Sequence, residues 1–367
     1  MRARALVFVG IGLAALALAG CGAKPAQSAT TKNAQQTAPV ASVSPAQVAS
    51  LLDPCTDNRP GFAHNLCSTA SLASLDTQIR NSLQTQATNL SNAGAQMLVQ
   101  NQQRWREAQR LSCGVLDAVA VPTQQQRQCL EAMFRTRLGE VRDAIQTAGG
   151  YTFERVELLD AAPVTAALRA SSGLGDDAPP AILRDIRYPR IDTPQTQQTQ
   201  RFNELVAQEP QFRLQDATSE TVTYRIAYAG PDIISVRIDS SADQLGAAHP
   251  SDSSKAVTVL MRSGRLLEAS DVFRDGSGWE DFITQRAMRD LTRQYQSYDF
   301  TPSASDVRET ATKPHLWLVT EAGLVLLFPP YSFGGPTALD GAEVTIPWAD
   351  LRRYLNPNAP TPIRASA

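Results

Sequence analysis

Four cysteines, Cys55, Cys67, Cys113 and Cys129, all lie in the first half of this 367-residue chain, and they restrict its folding more than any other feature. In an oxidising compartment an even set implies two disulfides, and four thiols allow three pairings. None of the spacings is the CxxC of a zinc or redox site, so metal binding is not expected. Cys55–Cys67 and Cys113–Cys129 are the favoured pairs, because each closes a short local loop, although the sequence leaves the other two arrangements open.

The amino terminus points to such a compartment. Arg2 and Arg4 precede an uncharged apolar run from Ala5 to Leu18, too short and too poorly flanked for a stable span, which reads as a signal peptide over residues 1–20. It closes in Leu18-Ala19-Gly20-Cys21, which resembles the lipobox of bacterial lipoproteins. That resemblance implies cleavage before Cys21 and attachment of diacylglycerol and an N-acyl chain there, enough lipid for stable anchoring. Gly22 rather than Asp follows the cysteine, which by the sorting rule of such lipoproteins implies the outer membrane, facing the periplasm. No cofactor is expected beyond this covalent lipid. The chain carries a net charge of −2 and only 19% charged residues, with no basic stripe for nucleic acid.

Residues 21–47, rich in Ala, Gln, Thr, Ser and Pro, read as a flexible lipidated tether. Helical periodicity follows over 48–148. Leu72, Leu75, Ile79 and Leu83 mark one apolar face, and Met97, Leu98, Trp105 and Leu111 mark a second. A third helix opens at Thr123 as its cap, continues through Leu130, Phe134, Leu138, Val141 and Ile145, and stops at Gly149-Gly150. Residues 149–184 read as a connector with a short strand candidate at 151–158. From 185 to 357 the texture is α+β, with a strand at 221–229 in which Val222, Tyr224, Ile226 and Tyr228 alternate. Further strands are expected at 233–238 and 256–261, a helix at 281–295, a hairpin at 316–328, a strand at 344–346 and a closing helix at 348–354. Residues 358–367 read as a disordered tail. The expected fold is therefore two-domain: a disulfide-stapled three-helix amino-terminal domain, then an α+β domain with a mainly antiparallel sheet.

The helical segment resembles the LprI-type lysozyme-inhibitor domain, through Cys55 and Cys67, Leu72-Ala73-Ser74-Leu75-Asp76, Gln102-Gln103-Arg104-Trp105-Arg106 with Arg110 and Cys113, and Cys129-Leu130 with Phe134 and Arg137. It departs from that pattern just before the second cysteine, where Ala63-His64-Asn65-Leu66 replaces the usual acidic residue. Residues 185–357 resemble the carboxy-terminal domain of RsiV-type anti-sigma factors, which act as lysozyme receptors, and of PdaC-type peptidoglycan deacetylases. Tyr188-Pro189-Arg190-Ile191, Gly246-Ala247-Ala248-His249-Pro250 and Phe328-Pro329-Pro330-Tyr331-Ser332-Phe333-Gly334-Gly335-Pro336 carry that resemblance. Both imply lysozyme as the protein partner.

Physically, a loop stiffened by prolines and glycines that projects Tyr331 and Phe333 suits insertion into a groove, since little entropy is lost on docking. The alternative is a structural turn that tucks the aromatics inward. The candidate contacts are Tyr331, Ser332, Phe333, Gly334 and Gly335, with Arg106 and Arg110, one turn apart on a helix, as a second patch or as structural ions. Catalysis finds no support: His64, His249 and His315 sit in no catalytic spacing, and no GxSxG, Walker or GxGxxG motif is present. The expectation is a non-enzymatic envelope lipoprotein that binds, and inhibits or senses, lysozyme. The alternative is a non-catalytic periplasmic scaffold or binder of peptidoglycan fragments.

Overall fold

A computed structural model of the protein describes residues 43–55, 61–298, 300–334 and 341–364. The signal peptide, Cys21 and residues 22–42 of the tether lie outside the described residues. Where the tether ends, the chain is already docked: Pro45 accepts from Gln84 Nε2 at 2.7 Å, and Val48 is fully buried.

The first half is helical, with α1 (Val48–Leu51), α2 (Phe62–Ser68), α3 (Ala70–Ala87), α4 (Asn92–Ser112) and α5 (Gln124–Glu140). Leu72, Ile79 and Leu83 of α3 are buried as their spacing requires, alongside Leu98 and Trp105 of α4 and Leu130 and Phe134 of α5. Thr123 caps α5 by accepting from Gln126 N, and the Gln126 side chain accepts from Thr123 N in return. Cys55 pairs with Cys67 and Cys113 with Cys129, each with Cα atoms 5.7 Å apart.

The third helix ends at Glu140, five residues before Ile145, where its apolar pattern would carry it. After a 3-10 turn at Val141–Asp143 the chain extends as β1 (Ile145–Ala148), so Ile145 is a strand residue. Gly149 and Gly150, read from sequence as a helix stop, form the two-residue turn of a hairpin. Ala148 pairs with Tyr151 across them, and both glycines have positive φ, 60° and 84°. A turn with two left-handed residues matches the twist of the strands it joins, which is why this pair of glycines sits there.

The expected connector is also structural. Most of residues 149–184 belong to β2 (Tyr151–Pro163), the short helix α6 (Ala166–Ser172) and the start of β3 (Ala181–Thr193), and β2 and β3 pair antiparallel along their whole length. The strand candidate at 151–158 is the first part of β2, which runs five residues further, and its Glu154, Arg155 and Glu157 are buried where strand rules expect apolar side chains. The sheet continues through β4 (Thr218–Ala229), β5 (Ile233–Gln244), β6 (Ser251–Leu260) and β7 (Arg265–Leu266), with neighbours in chain order. All pairs are antiparallel except β3–β4, which run parallel over three residue pairs. Helix α7 (Gln197–Val206) makes the crossover that a parallel pair requires and buries Phe202 and Val206 on one sheet face.

A second sheet of β8 (Trp317–Val319), β9 (Gly323–Phe328) and β10 (Ala342–Pro347) packs on the other face. Every residue of β9 is buried. Leu324, Leu326 and Phe328 face α9 (Trp279–Gln294) and α10 (Ala304–Ala311), which follow the short α8 (Ala269–Val272). Val325 and Leu327 face Ala256 of the large sheet. The closing helix α11 (Trp348–Leu351) is shorter than expected, and the segment after it is no disordered tail, since Ala359 and Ile363 are buried in the same core. Residues 365–367 lie outside the described residues.

The helices meet the sheet through buried polar groups rather than a linker, and the described residues fall in one compact unit. Glu157, 1% exposed, lies 2.8 Å from Arg137 of α5 and 2.7 Å from Arg155. Arg137 also donates to Gln102 and stacks over Trp105, both on α4. Burial alone would raise the Glu157 carboxyl, but Arg137 and Arg155 hold it down at about 2. Asn101 of α4 receives the Glu157 N–H and donates to Arg155 O, and Arg104 donates to Glu157 O, so α4 covers the stretch of β2 that β1 leaves unpaired.

A second buried cluster has the opposite electrostatics. Arg190 sits 2.9 Å from Glu154 and 3.3 Å from Asp192, one guanidinium between two fully buried carboxylates. Asp192 also accepts from Ser91 N and Oγ at the start of α4. Burial outweighs Arg190 at Glu154, and Asp192 adds to it, pushing the group to about 9, so at neutral pH Glu154 is protonated; its Oε1 has no hydrogen-bond partner.

Two consequences can be measured. Glu157→Ala leaves two guanidinium groups buried without their carboxylate and should cost about 3–5 kcal/mol in urea unfolding. Glu154 is raised from its ordinary 4.5, so its contribution is complete below that value and is lost as pH rises through about 9. Glu154→Gln should therefore flatten the decline of the urea midpoint between mildly acidic and alkaline pH; an unchanged slope would mean that Glu154 is ionised in the native state.

Candidate functional site

The loop after β9 is built around one aromatic anchor. Phe333 is 0% exposed, stacked on Tyr295 with ring centroids 5.3 Å apart and edge-on to Phe300 and Phe328. It does not project, in contrast to the sequence expectation, because three aromatic rings, Tyr295, Phe300 and Phe328, pack around its side chain. Ser332 is committed inward as well. Its N–H and hydroxyl both donate to Pro329 O, at 3.1 and 2.6 Å, while its carbonyl accepts from Thr310 Oγ1 at 2.7 Å. Ser303 N donates to Phe333 O, tying the loop to the start of α10.

These restraints leave Tyr331 outside. It is 54% exposed and has φ of +68°, a left-handed conformation that costs a non-glycine residue about 1–2 kcal/mol. Gly334 follows with φ of +83° and is exposed. Gly335 lies outside the described residues. The loop thus presents one exposed tyrosine on a hydrogen-bonded backbone, and of its two aromatics one is anchor and one is display.

Arg106 and Arg110 do not join this loop and do not form an exposed positive face. Arg106 pairs with the buried Asp76 and donates to Leu52 O at 2.7 Å. Arg110 is buried, pairs with Glu107 through Nε at 2.9 Å, and donates to the carbonyls of Val115 and Leu116. Both guanidiniums tie helices to the loops beside them, which is the structural alternative of the sequence reading. His249 is a turn residue, with Nδ1 2.9 Å from Pro250 O.

Beside the loop opens a cleft of about 340 Å³ that the sequence reading missed. Its floor is the far half of the large sheet, and Pro330, Gly341 and Glu343 form one lip. Arg237 of β5 crosses it, holding Asp239 through Nε at 2.7 Å and Glu343 of β10 through Nη1. Thr221 and Thr223 on β4, Ser241 on β5 and Ser254 on β6 add hydroxyls. The signal was a period-two polar face along β5, at Arg237, Asp239 and Ser241, opposite the buried Val236 and Ile238; alone it reads as solvent-facing strand.

A family described only as a protein of unknown function, DUF3298, matches residues 270–349, from α8 through β10 and including the Tyr331 loop. Among solved structures, a DUF3298 member from Bacteroides fragilis NCTC 9343 is 12% identical, with TM-score 0.43, over 60% of this chain and 98% of that one. A DUF3298 family protein from Pseudomonas aeruginosa PAO1 is 16% identical, with TM-score 0.41, over 57% of this chain and 95% of that one. No curated protein matches the sequence.

The division of labour in the loop has a direct test. Tyr331→Gly relieves left-handed strain while removing little packing, so stability should stay within about 1 kcal/mol of the parent. Phe333→Ala should cost about 3–5 kcal/mol through the cavity it leaves. Equal losses in urea unfolding would show that Tyr331 is a core residue in solution.

Proposed function

We propose that this chain is a non-enzymatic envelope lipoprotein, anchored by acyl chains on Cys21 in the outer membrane and facing the periplasm, which binds lysozyme through the Pro329–Gly334 loop and thereby protects peptidoglycan. The observation that carries this reading is Tyr331, exposed and in a left-handed conformation in a loop whose Ser332 and Phe333 side chains are committed inward. An aromatic group that loses little freedom on docking is the kind of residue that dominates protein interfaces. Among the described residues no helix is long and apolar enough to cross a membrane, and the lipid at Cys21 supplies the attachment in this reading.

Two resemblances favour lysozyme as the partner, one in the helical half and one in the carboxy-terminal half. Lysozyme cleaves glycans with a carboxyl pair in a cleft, and an inserted tyrosine occludes such a cleft while its hydroxyl donates to a carboxylate. The slight negative charge of this chain also suits a basic partner. Tyr331 is the principal contact, with the exposed Gly334 beside it; Ser332 and Phe333 set the loop's shape, and Arg106 and Arg110 serve the helical core.

Titrating the purified full chain into a lysozyme lysis assay, with calorimetry in parallel, tests this. Slowed lysis with at least one of the c-, g- and i-type enzymes is expected, and Tyr331→Ala should weaken binding by at least about 1–2 kcal/mol. Absence of heat and of inhibition with all three classes would end the proposal, and an unchanged affinity in Tyr331→Ala would remove the loop from it.

A further inference from the structure

The cleft beside the loop has a chemistry of its own, independent of any protein partner. Three adjacent strands place short polar side chains in register across its floor. Thr223 on β4 pairs with Asp239 on β5, which pairs with Ser254 on β6; one rung along, Thr221 pairs with Ser241 and Ser241 with Asp252. Neighbouring strands are about 4.8 Å apart and alternate residues about 6.7 Å, so these six groups form a close grid of donors and acceptors.

The lining selects among ligand classes. Three carboxylates, Asp239, Asp252 and Glu343, face one guanidinium, which repels an anion. A cation finds little free charge, because Arg237 already occupies Asp239 and Glu343. Asp252 alone has no ion pair among the described residues. An apolar ligand would leave the hydroxyls and carboxylates dry and unpaired. A neutral polyhydroxylated molecule matches this mixed lining: its hydroxyls donate to the carboxylates, the ion-pair-free Asp252 first among them, and exchange both roles with the serines and threonines. Half-exposed Pro330 at the lip offers an apolar edge for a sugar's C–H face. The volume, at the lower end of the range for small-ligand sites, suits a short glycan rather than a protein segment.

We propose that this cleft, floored by β4, β5 and β6 and bounded by Pro330 and Glu343, binds a neutral oligosaccharide. Tyr331 does not line it, so glycan binding and docking of a protein on the loop are separable.

The test is calorimetric titration of the purified full chain with two neutral glycans, chitotetraose and maltotetraose. Saturable binding of at least one is expected, little changed from low to high salt because no net charge is exchanged. Thr223 and Asp252 are both exposed, so the double variant Thr223→Val, Asp252→Ala should keep its thermal midpoint while losing at least about tenfold in affinity. Tyr331→Ala should bind glycan as the parent does, whatever its effect on lysozyme. No saturable heat with either glycan at about millimolar concentration overturns the proposal. So does full affinity in the double variant, and so does binding that collapses with salt. None of these results bears on the lysozyme titration.

Discussion

Helices and sheet converge on one buried carboxylate, that of Glu157. Glu157 projects from β2 between Arg137 of the third long helix and Arg155 of its own strand, all of them nearly inaccessible to water. Desolvating three charges is costly, and their mutual attraction with well-placed hydrogen bonds offsets that cost. Arg137 brings α5, Trp105 and Gln102 to one point, and the Asn101 amide stands in for a missing strand along β2. A sheet edge that would otherwise invite pairing with another chain is closed by helix side chains.

The same network explains which parts of the fold were legible in the sequence. Alternation announced β4 through Val222 and Tyr224, and the apolar stretch Ile233–Ile238 marked β5. Helices with a single apolar stripe did likewise, and loop length alone favoured the observed disulfide pairing. Sequence rules read β2 only over 151–158 and left the start of β3 in a connector, and they gave no sign that Glu154, Arg155 and Glu157 are buried charges, which binary patterning assigns to the surface. Buried ionic partners are invisible until the fold brings them together. Gly149-Gly150 failed for another reason: the pair is compatible with a helix end and with a hairpin, and only the register of Ala148 with Tyr151 decides.

At the site, residue types were readable and their orientations were not. The loop's prolines and glycines marked a fixed backbone path, yet nothing local distinguishes Tyr331 from Phe333 as the exposed ring. That choice depends on Tyr295, Phe300 and Phe328, which lie near in space and, for the first two, distant in sequence. Arg106 and Arg110 illustrate the same limit, since a helical spacing of four defines a shared face without saying what covers it. The covering groups, Asp76, Leu52 and the Val115–Leu116 carbonyls, come from other elements.

The cleft follows from a mismatch of strand lengths. At roughly 3.3 Å per residue, twelve-residue β5 runs about 40 Å and six-residue β9 about 20 Å, so the small sheet can cover only part of the face on which it packs. Where it does cover, the large sheet presents Ala256 and the hydroxyls of Ser235 and Thr258, which bond directly to Val319 N and Trp317 O. Where the long strands overhang, the same face turns to Thr223, Asp239 and Ser254. The change from apolar and satisfied to polar and open occurs within a few residues of one strand, at Arg237, whose guanidinium reaches across to Glu343. The loop bearing Tyr331 leaves β9 at that boundary, so the geometry that shortens the small sheet also places an exposed tyrosine beside a polar cleft.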